Sequence, residues 1–194
     1  MSKLSRILYY NLLLPIDKIR SLFSKTSVVR EPAKQTFGGT TVHLFKAQTN
    51  KGKTLDFASF RGRKMLIVNV ASRCGKTPQY KYLQKLQEQY HDTLTVLAVP
   101  SGDFGDQEFE NDQRIAEFCE REYHITFPVL NKVHVRGKNK IPLYNWLTVP
   151  ALNGWNKQQP VWNFTKYLVN EDGQLIGYFP PSVNPLDPVI TSLL

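Results

Sequence analysis

The hydrophobic pattern is clearest between residues 65 and 100. Two apolar runs of strand-forming residues, MLIVNV (65–70) and TLTVLAVP (93–100), enclose a segment at 78–90 whose apolar residues recur at helical spacing. Thr77 and Pro78 are typical of a helix start, with threonine as the N-cap and proline at the first helical position. A strand, a helix and a strand at this spacing form a βαβ unit, so we predict that the two strands pair in parallel.

The segments around this unit predict the remaining elements. TVHLFKA and KTLDFASF flank a turn at 49–52 and predict a hairpin, while NDQRIAEFCEREY (111–123) has the apolar face of a helix. The other predicted elements are an extended run at 127–135, a helical turn at 142–147, a loop at 148–160, a hairpin of strands 164–169 and 174–179, and a helix at 185–194. This order fits a thioredoxin-like α/β sandwich, in which helices flank a central mixed sheet and a β-hairpin precedes it.

The first 36 residues have a different pattern. Leu, Ile and Phe recur at helical spacing from Leu4 to Phe23, and Lys and Arg outnumber the acidic residues. The most apolar part, ILYYNLLLPI, has ten residues, whereas a membrane-spanning helix needs about 20. No small-residue cleavage site of a signal peptide follows it. We predict a basic amphipathic extension that lies weakly on an anionic membrane surface. A tail that packs on the domain or is partly disordered is the alternative.

Composition limits the class of protein. The chain has 194 residues, of which 41% are hydrophobic, so residues 37–194 are sufficient for one domain with a sizeable core. The two cysteines cannot form a disulfide framework, and the four histidines lack zinc-ligand spacing. A net charge of +9 comes without a basic block interleaved with aromatic residues, so we expect no nucleic-acid partner. We also expect no metal, no cofactor and a cytoplasmic location.

Cys74 is the candidate for chemistry. It follows the strand at 65–70 and lies just before the predicted helix, where unpaired amides and the positive end of the helix dipole stabilise an anion. Arg73 and Lys76 act in the same direction, and reactive cysteines occur in such surroundings. In α/β sheets, reactive groups collect at this carboxyl end of the strands. The alternative is a buried cysteine that acts as a small hydrophobic residue.

Four segments together resemble the glutathione peroxidase family. They are LIVNVASRCGKTPQY, FGDQE (104–108), FCEREYHITFP (118–128) and VWNFTKYLVNEDGQL (161–175), and they occur in the order of the family's signatures. The resemblance covers about residues 37–194. It implies a thioredoxin-like fold and an enzyme that reduces hydrogen peroxide and organic hydroperoxides. Cys74 would be the peroxidatic residue, so this is a cysteine-containing member rather than one with selenocysteine.

The resemblance also implies partners for Cys74. A thiolate attacks the terminal peroxide oxygen and becomes a sulfenic acid. The Trp and Asn that donate hydrogen bonds beside the reactive atom correspond to Trp162 and Asn163, whose N–H groups would stabilise the thiolate and the leaving oxygen. Cys119 resembles the resolving cysteine of members that use thioredoxin. An intramolecular disulfide between Cys119 and Cys74 would then favour thioredoxin over glutathione as the reductant. A buried structural cysteine is the alternative for Cys119.

Asp103 is where the chain departs from the family. The family pattern has Asn-Gln before Phe-Gly, and the glutamine belongs to the hydrogen-bonding set, whereas this chain has Gly102-Asp103. A carboxylate within about 6 Å of a thiolate opposes its ionisation. We therefore count Asp103 among the site residues. Either it opposes the thiolate, or it is protonated, or it points away. Gly-Asp is also favoured in tight turns.

Three functions remain open from the sequence. The first is a thiol peroxidase, and the second is a peroxide sensor that passes oxidation to a partner protein through Cys74 and Cys119. The third is a low-activity member, for which Asp103 is the only indication. The loop at 137–162 is short, similar to monomeric family members and without the insertion through which tetrameric relatives assemble, so we expect a monomer.

Overall fold

A computed structural model describes residues 27–29 and 39–194. The strands are β1 (Val28–Val29), β2 (Lys46–Gln48), β3 (Thr54–Asp56), β4 (Lys64–Val70), β5 (Leu94–Pro100), β6 (Lys166–Val169) and β7 (Leu175–Phe179). The helices are α1 (Gln79–Gln89), α2 (Asp112–Tyr123), α3 (Pro142–Thr148), α4 (Pro150–Asn153) and α5 (Pro188–Thr191). Apart from residues 27–29, the predicted N-terminal segment lies outside the described residues.

The central sheet is mixed, as predicted. Its five strands lie in the order β1-β7-β6-β4-β5. β4 and β5 pair in parallel, while β6 is antiparallel to both β4 and β7. β2 and β3 form a separate two-stranded antiparallel sheet, which confirms the predicted hairpin. Apart from Lys64, every residue of the parallel pair is buried, which accounts for the near-continuous apolar runs in the sequence.

Each face of the sheet has its own core. Alternate residues of β4 point to opposite faces, so Leu66 and Val68 belong to one cluster and Met65 and Ile67 to the other. The first cluster includes apolar side chains of α1, α2 and α5, together with both cysteines. The second includes α3 and the 3-10 turns at Val42–Leu44 and Phe57–Phe60. Helices therefore flank the sheet on both faces.

Three predicted boundaries are wrong for local reasons. Val42–Leu44 is a 3-10 turn rather than a strand, because the adjacent side chains of Val42 and His43 are both buried; a half-exposed strand alternates them. The predicted loop at 148–160 contains α4, which starts at a proline and ends at Gly154 in the left-handed conformation (φ 92°). The C-terminal helix is limited to α5, where Asp187 accepts the N–H of Val189 as an N-cap.

Candidate active site

The turn after β4 is built around Cys74. The backbone N–H of Cys74 donates to Thr77 Oγ1 (3.0 Å), and the Thr77 hydroxyl donates to the carbonyl of Ala71 (2.8 Å). Thr77 therefore closes the cysteine turn and makes no side-chain cap on α1, whose first residue is Gln79. The prediction of Thr77 as a helix N-cap is wrong, because its hydroxyl is used one turn earlier.

The sulfur of Cys74 faces a backbone donor. The backbone N–H of Lys76 donates to Cys74 Sγ at 3.3 Å. Cys74 is buried, with 7% of its surface exposed. An N–H aimed at a sulfur stabilises its thiolate form. This is the amide donor that the sequence predicts before α1.

The segment at 106–109 holds the cysteine turn from the other side. Arg73 donates its backbone N–H to the carbonyl of Gln107 (2.9 Å) and its guanidinium to the carbonyl of Glu108 (3.1 Å). Glu108 is fully buried, and its Oε1 accepts the N–H groups of Ser72 (3.2 Å) and Phe109 (2.7 Å). Burial raises the pKa of this carboxyl group, although the hydrogen bonds from Ser72 and Phe109 oppose the rise. Glu108 thus anchors the two residues before Cys74.

Asn163 is fully buried and paired with a glutamine. Its Nδ2 donates to Gln107 Oε1 (3.2 Å) and to the carbonyl of Phe104 (3.4 Å). The ring of Phe104 lies 5.5 Å from that of Trp162, measured between centroids. Trp162 is partly buried, and its carbonyl accepts Asn69 Nδ2 at 3.1 Å. The loop after β5 and the loop before β6 therefore meet through Asn163 and Trp162.

Asp103 is directed elsewhere. Its Oδ1 lies 2.6 Å from His134 Nδ1, and its Oδ2 accepts the N–H groups of Val135 (2.7 Å) and Arg136 (3.1 Å). Burial alone would raise the pKa of Asp103, but these hydrogen bonds outweigh it and the pKa is lowered. The carboxylate is therefore ionised at neutral pH, and it binds the His134 side chain and the backbone N–H groups of Val135 and Arg136. Because both oxygens are engaged by residues 134–136, these contacts favour the alternative in which Asp103 points away from the Cys74 sulfur.

Cys119 lies on the buried face of α2 and is 3% exposed. Its thiol donates to the Tyr80 hydroxyl oxygen at 3.6 Å. Burial raises the pKa of Cys119 to about 11; the Tyr80 hydrogen bond opposes the rise and the nearby Glu108 adds to it. Cys119 and Cys74 are both free thiols and belong to the same core cluster.

Comparisons with known proteins identify the family. The model of the glutathione peroxidase family matches residues 42–148. The glutathione peroxidase homolog BsaA of Halalkalibacterium halodurans is 40% identical over 147 residues, which are 75% of this chain and 93% of that protein. This chain belongs to the glutathione peroxidase family. It is a peroxidase, with a thioredoxin-like fold as predicted.

Two further relatives agree with this membership. Glutathione peroxidase-like peroxiredoxin 2 of Saccharomyces cerevisiae is 38% identical over 158 residues, covering 80% of this chain and 98% of that one. Among solved structures, the crystal structure of Trgpx in its apo form has a TM-score of 0.60 at 32% identity, and covers 79% of this chain and 94% of that chain. The family match includes Cys74 and Cys119 but ends before Trp162 and Asn163.

The structure adds two site residues that the sequence analysis did not single out. Gln107 supplies an amide beside Asn163, and Glu108 anchors the cysteine turn; both lie in the FGDQE segment, which served above only as a family signature. No His, Cys, Asp or Glu cluster within residues 27–29 and 39–194 is arranged to hold a metal ion. In the same residues no helix is long and apolar enough to cross a membrane.

Proposed function

We propose that this family member reduces hydrogen peroxide and organic hydroperoxides at Cys74. The observation that carries the proposal is the hydrogen bond from the Lys76 N–H to Cys74 Sγ, at the carboxyl end of β4. A donor fixed on the sulfur favours the nucleophilic thiolate before substrate arrives. Asn163 and Trp162 are the amide and indole donors that the family resemblance assigns to the oxygen that leaves. Both Asn163 N–H groups are engaged in the resting structure, so its longer hydrogen bond, to the Phe104 carbonyl (3.4 Å), must break to free a donor for this oxygen.

In the first step the Cys74 thiolate attacks the terminal oxygen of the hydroperoxide. The O–O bond breaks, the sulfur is oxidised to a sulfenic acid, and the leaving alkoxide or hydroxide takes a proton to become an alcohol or water. Donors that meet the developing oxyanion lower the barrier because they need no reorganisation during the reaction. The hydrogen bond from Asn163 to Gln107 keeps the amide in place for this step.

The second step is resolution by Cys119. Its sulfur displaces hydroxide from the sulfenic acid, the Cys119 proton and the hydroxide leave as water, and a Cys74–Cys119 disulfide forms. Because Cys119 is buried against Tyr80, we infer that α2 opens locally before the sulfurs meet. Reduced thioredoxin then reopens the disulfide by exchange. Glutathione is the other candidate reductant, and it would not need Cys119.

Two reductase systems run side by side test the reductant. Peroxide-dependent NADPH oxidation is measured with thioredoxin and thioredoxin reductase, and separately with glutathione and glutathione reductase. We expect turnover with the thioredoxin system, and Cys119→Ser should abolish that turnover while still consuming the first equivalent of peroxide. Undiminished thioredoxin-dependent turnover in Cys119→Ser, or turnover of the wild type with glutathione alone, would contradict the proposal.

A peroxide sensor is the second candidate, and the burial of Cys119 favours it. A thiol with a pKa of about 11 supplies little thiolate at neutral pH, so the sulfenic acid on Cys74 would persist long enough to react with a partner protein. Dimedone, which traps sulfenic acids, separates the two functions. A peroxidase loses the trappable species rapidly as the disulfide forms, whereas a sensor retains it until a partner protein is added.

The N-terminal extension supports a proposal about membrane contact. β1 is antiparallel to β7, with Val28 opposite Tyr178 and Val29 opposite Gly177. Chain direction through β7, β6 and β4 places the start of β1 at the sheet end that carries Cys74. Val28, which follows the basic residues in the sequence, therefore lies at this end of the sheet. An extension that contacts an anionic membrane there would hold the site close to lipid hydroperoxides.

A further inference from the structure

Asn69 is a buried amide in an apolar strand. It belongs to β4, the strand that leads to Cys74, and it has no exposed surface. The other residues of β4 from Met65 to Val70 are apolar and equally buried. A buried side-chain amide is costly unless it makes hydrogen bonds. The presence of Asn69 at this position is therefore explained by the groups that it binds.

Asn69 makes three hydrogen bonds to the loop that precedes β6. Its Nδ2 donates to the carbonyl of Trp162 (3.1 Å), and its backbone carbonyl accepts the N–H of Phe164 (2.6 Å). Its backbone N–H donates to the carbonyl of Thr165 (3.3 Å). Asn69 thus joins the loop that carries Trp162 and Asn163 to the strand that leads to Cys74.

The side-chain contact fixes the peptide unit before Asn163. The Trp162 carbonyl and the Asn163 N–H belong to one peptide unit, which is planar. A donor that fixes the direction of this carbonyl therefore also fixes the direction in which the backbone enters Asn163. The same carbonyl accepts a second hydrogen bond, from the Thr165 hydroxyl (2.9 Å). Two side-chain donors thus hold this peptide unit, and Asn69 is the one on the neighbouring strand.

The backbone contact fixes the peptide unit after Asn163, to which the Phe164 N–H belongs. Phe164 has a left-handed backbone (φ 68°), which is unfavourable for a residue with a bulky side chain. Asn69 accepts its N–H, and the buried ammonium of Lys166 donates to its carbonyl at 2.9 Å. Asn69 therefore binds the peptide units on both sides of Asn163.

We propose that Asn69 is a positioning residue that holds Asn163 in place for peroxide reduction at Cys74. The proposal rests on the proposed function, in which the Asn163 amide donates to the leaving oxygen. Asn69 acts through the loop, whereas the sulfur has its own backbone donor in the Lys76 N–H. Loss of the Asn69 amide should therefore slow the reaction with peroxide and leave the ionisation of Cys74 unchanged.

The first experiment compares two reactions of the same thiolate, in a Cys119→Ser background where Cys74 is the remaining thiol. Reaction with hydrogen peroxide needs a donor for the leaving oxygen, whereas alkylation by iodoacetamide expels iodide and needs none. In Asn69→Leu we expect the peroxide rate to fall about tenfold, while the pH profile of alkylation equals that of the parent. An equal fall in both rates, or no change in either, would overturn the proposal.

The leucine substitution leaves no buried group newly unpaired. The Trp162 carbonyl keeps its hydrogen bond from the Thr165 hydroxyl. Within the part of the chain that the structure describes, Oδ1 of Asn69 has no hydrogen-bond partner, so nothing is lost on its removal. The expected change in rate is therefore assigned to the missing donor on Trp162 and not to general unfolding.

Gln87→Met is the matched control. Gln87 is a partly buried amide whose Nε2 donates to the Leu94 carbonyl (3.1 Å) and whose Oε1 accepts the Val96 N–H (2.8 Å). These contacts lie at the start of β5, at the end of the parallel pair away from Cys74. The control should lower stability and change neither rate. A tenfold fall in its peroxide rate would show that loss of stability alone produces the effect, and would overturn the proposal.

A double variant tests whether Asn69 acts through Asn163. Once Asn163→Ala has removed the amide, Asn69→Leu should lower the peroxide rate by less than about twofold, because residues that act through one another are not additive. The same fold loss in the presence and in the absence of the Asn163 amide would contradict a positioning role.

Thr165→Val keeps the proposal testable if Asn69→Leu does not fold. It removes the other donor to the Trp162 carbonyl and should lower the peroxide rate about threefold without altering the alkylation profile. An unchanged peroxide rate in this variant would contradict the proposal. A failure of the proposed function appears elsewhere, as peroxide consumption by Cys74→Ser.

Discussion

Cys119 donates its thiol hydrogen to the hydroxyl oxygen of Tyr80, with 3.6 Å between sulfur and oxygen. The contact joins α2 to α1 inside the core and leaves Cys119 only 3% exposed. Disulfide formation with Cys74 requires that Cys119 leaves this contact. The proposed catalytic cycle therefore includes a conformational step whose energetics depend on Tyr80.

Tyr80→Phe should accelerate disulfide formation. The substitution retains the ring, which packs edge-on against Phe164 at 5.5 Å, and removes the partner of the Cys119 thiol. We expect a loss of about 1 kcal/mol in the free energy of unfolding and a severalfold faster loss of two hydrogens after one equivalent of peroxide, measured by quenched-flow mass spectrometry. Tyr144→Phe, a buried tyrosine on the other face, is the control. Slower resolution in Tyr80→Phe would mean that the hydroxyl activates Cys119.

The two thiols should differ in reactivity in the folded, reduced protein. Since burial raises the pKa of Cys119 to about 11, iodoacetamide at pH 8 should add one label, at Cys74, and a second only in denaturant.

The raised pKa of Cys119 also affects the stability of the protein. Because the folded-state pKa lies above the ordinary value of 9.0, the stabilisation from keeping Cys119 uncharged is complete below pH 9 and is lost as the pH rises towards 11. Cys119→Ala should reduce the alkaline loss of stability over this range. Preferential labelling of Cys119 would contradict the account.

Asp103→Asn should affect stability and leave the sulfur unchanged. The carboxylate accepts hydrogen bonds from two backbone N–H groups at 135–136, so we expect a loss of roughly 2 kcal/mol in unfolding free energy at neutral pH. The pKa of Asp103 is lowered below its ordinary value of 3.8. Its stabilisation is therefore present above pH 3.8 and disappears as the pH falls through the folded-state value. The pH profile of Cys74 alkylation should be superimposable on that of the wild type, and a shifted profile would restore Asp103 to the site.

We expect substitutions of Asn163 and Gln107 to lower the rate of peroxide reduction non-additively. Removing a donor to a developing oxyanion typically costs about 100-fold in rate, and we expect this for Asn163→Ala in the stopped-flow reaction with peroxide. Gln107→Ala should cost about tenfold, because it only releases the Asn163 amide. In the double variant the loss should equal that of Asn163→Ala alone. Independent, additive losses would show that Gln107 does not act through Asn163.

The full chain should sediment with anionic vesicles at low salt and be released by salt, because charges are screened over about 10 Å at 0.1 M. Charge reversal at Lys18 and Arg20 should weaken the binding, whereas peroxide reduction in solution should be unchanged. Equal binding to neutral vesicles would contradict an electrostatic contact. Loss of soluble, active protein on charge reversal would instead favour an extension that packs on the domain.

The sequence predicts those parts of the fold that depend on local periodicity. The apolar runs that became β4 and β5 and the helical faces of α1 and α2 are one-dimensional patterns, so they were predictable to within about two residues. The 3-10 turn at Val42–Leu44 was not predictable from local periodicity. It depends on the packing of His43 against Gly173, which is distant in sequence. An added Cβ at Gly173 would lie 2.7 Å from the His43 ring, so this contact also requires the glycine.

The candidate site was predictable in part for the same reason. Cys74 follows a strand and precedes a helix, so the amide donor on its sulfur could be expected from the sequence. The orientation of Asp103 was not predictable, since its carboxylate oxygens are satisfied by the His134 side chain and the N–H groups of Val135 and Arg136, which follow much later in the sequence. The burial of Lys166 was also not predictable from the sequence, because a lysine at the start of a strand gives no indication of which face of the sheet its side chain takes.

Peroxide consumption by Cys74→Ser tests the central claim most directly. A serine hydroxyl does not ionise near neutral pH, and the substitution exchanges one atom in a turn that is held by Thr77 and Glu108. Stopped-flow consumption of hydrogen peroxide is compared in Cys74→Ser, Cys119→Ser and the wild type, with circular dichroism to verify that each is folded. The account predicts no consumption by Cys74→Ser and one rapid equivalent by Cys119→Ser. Rapid consumption by folded Cys74→Ser would contradict it.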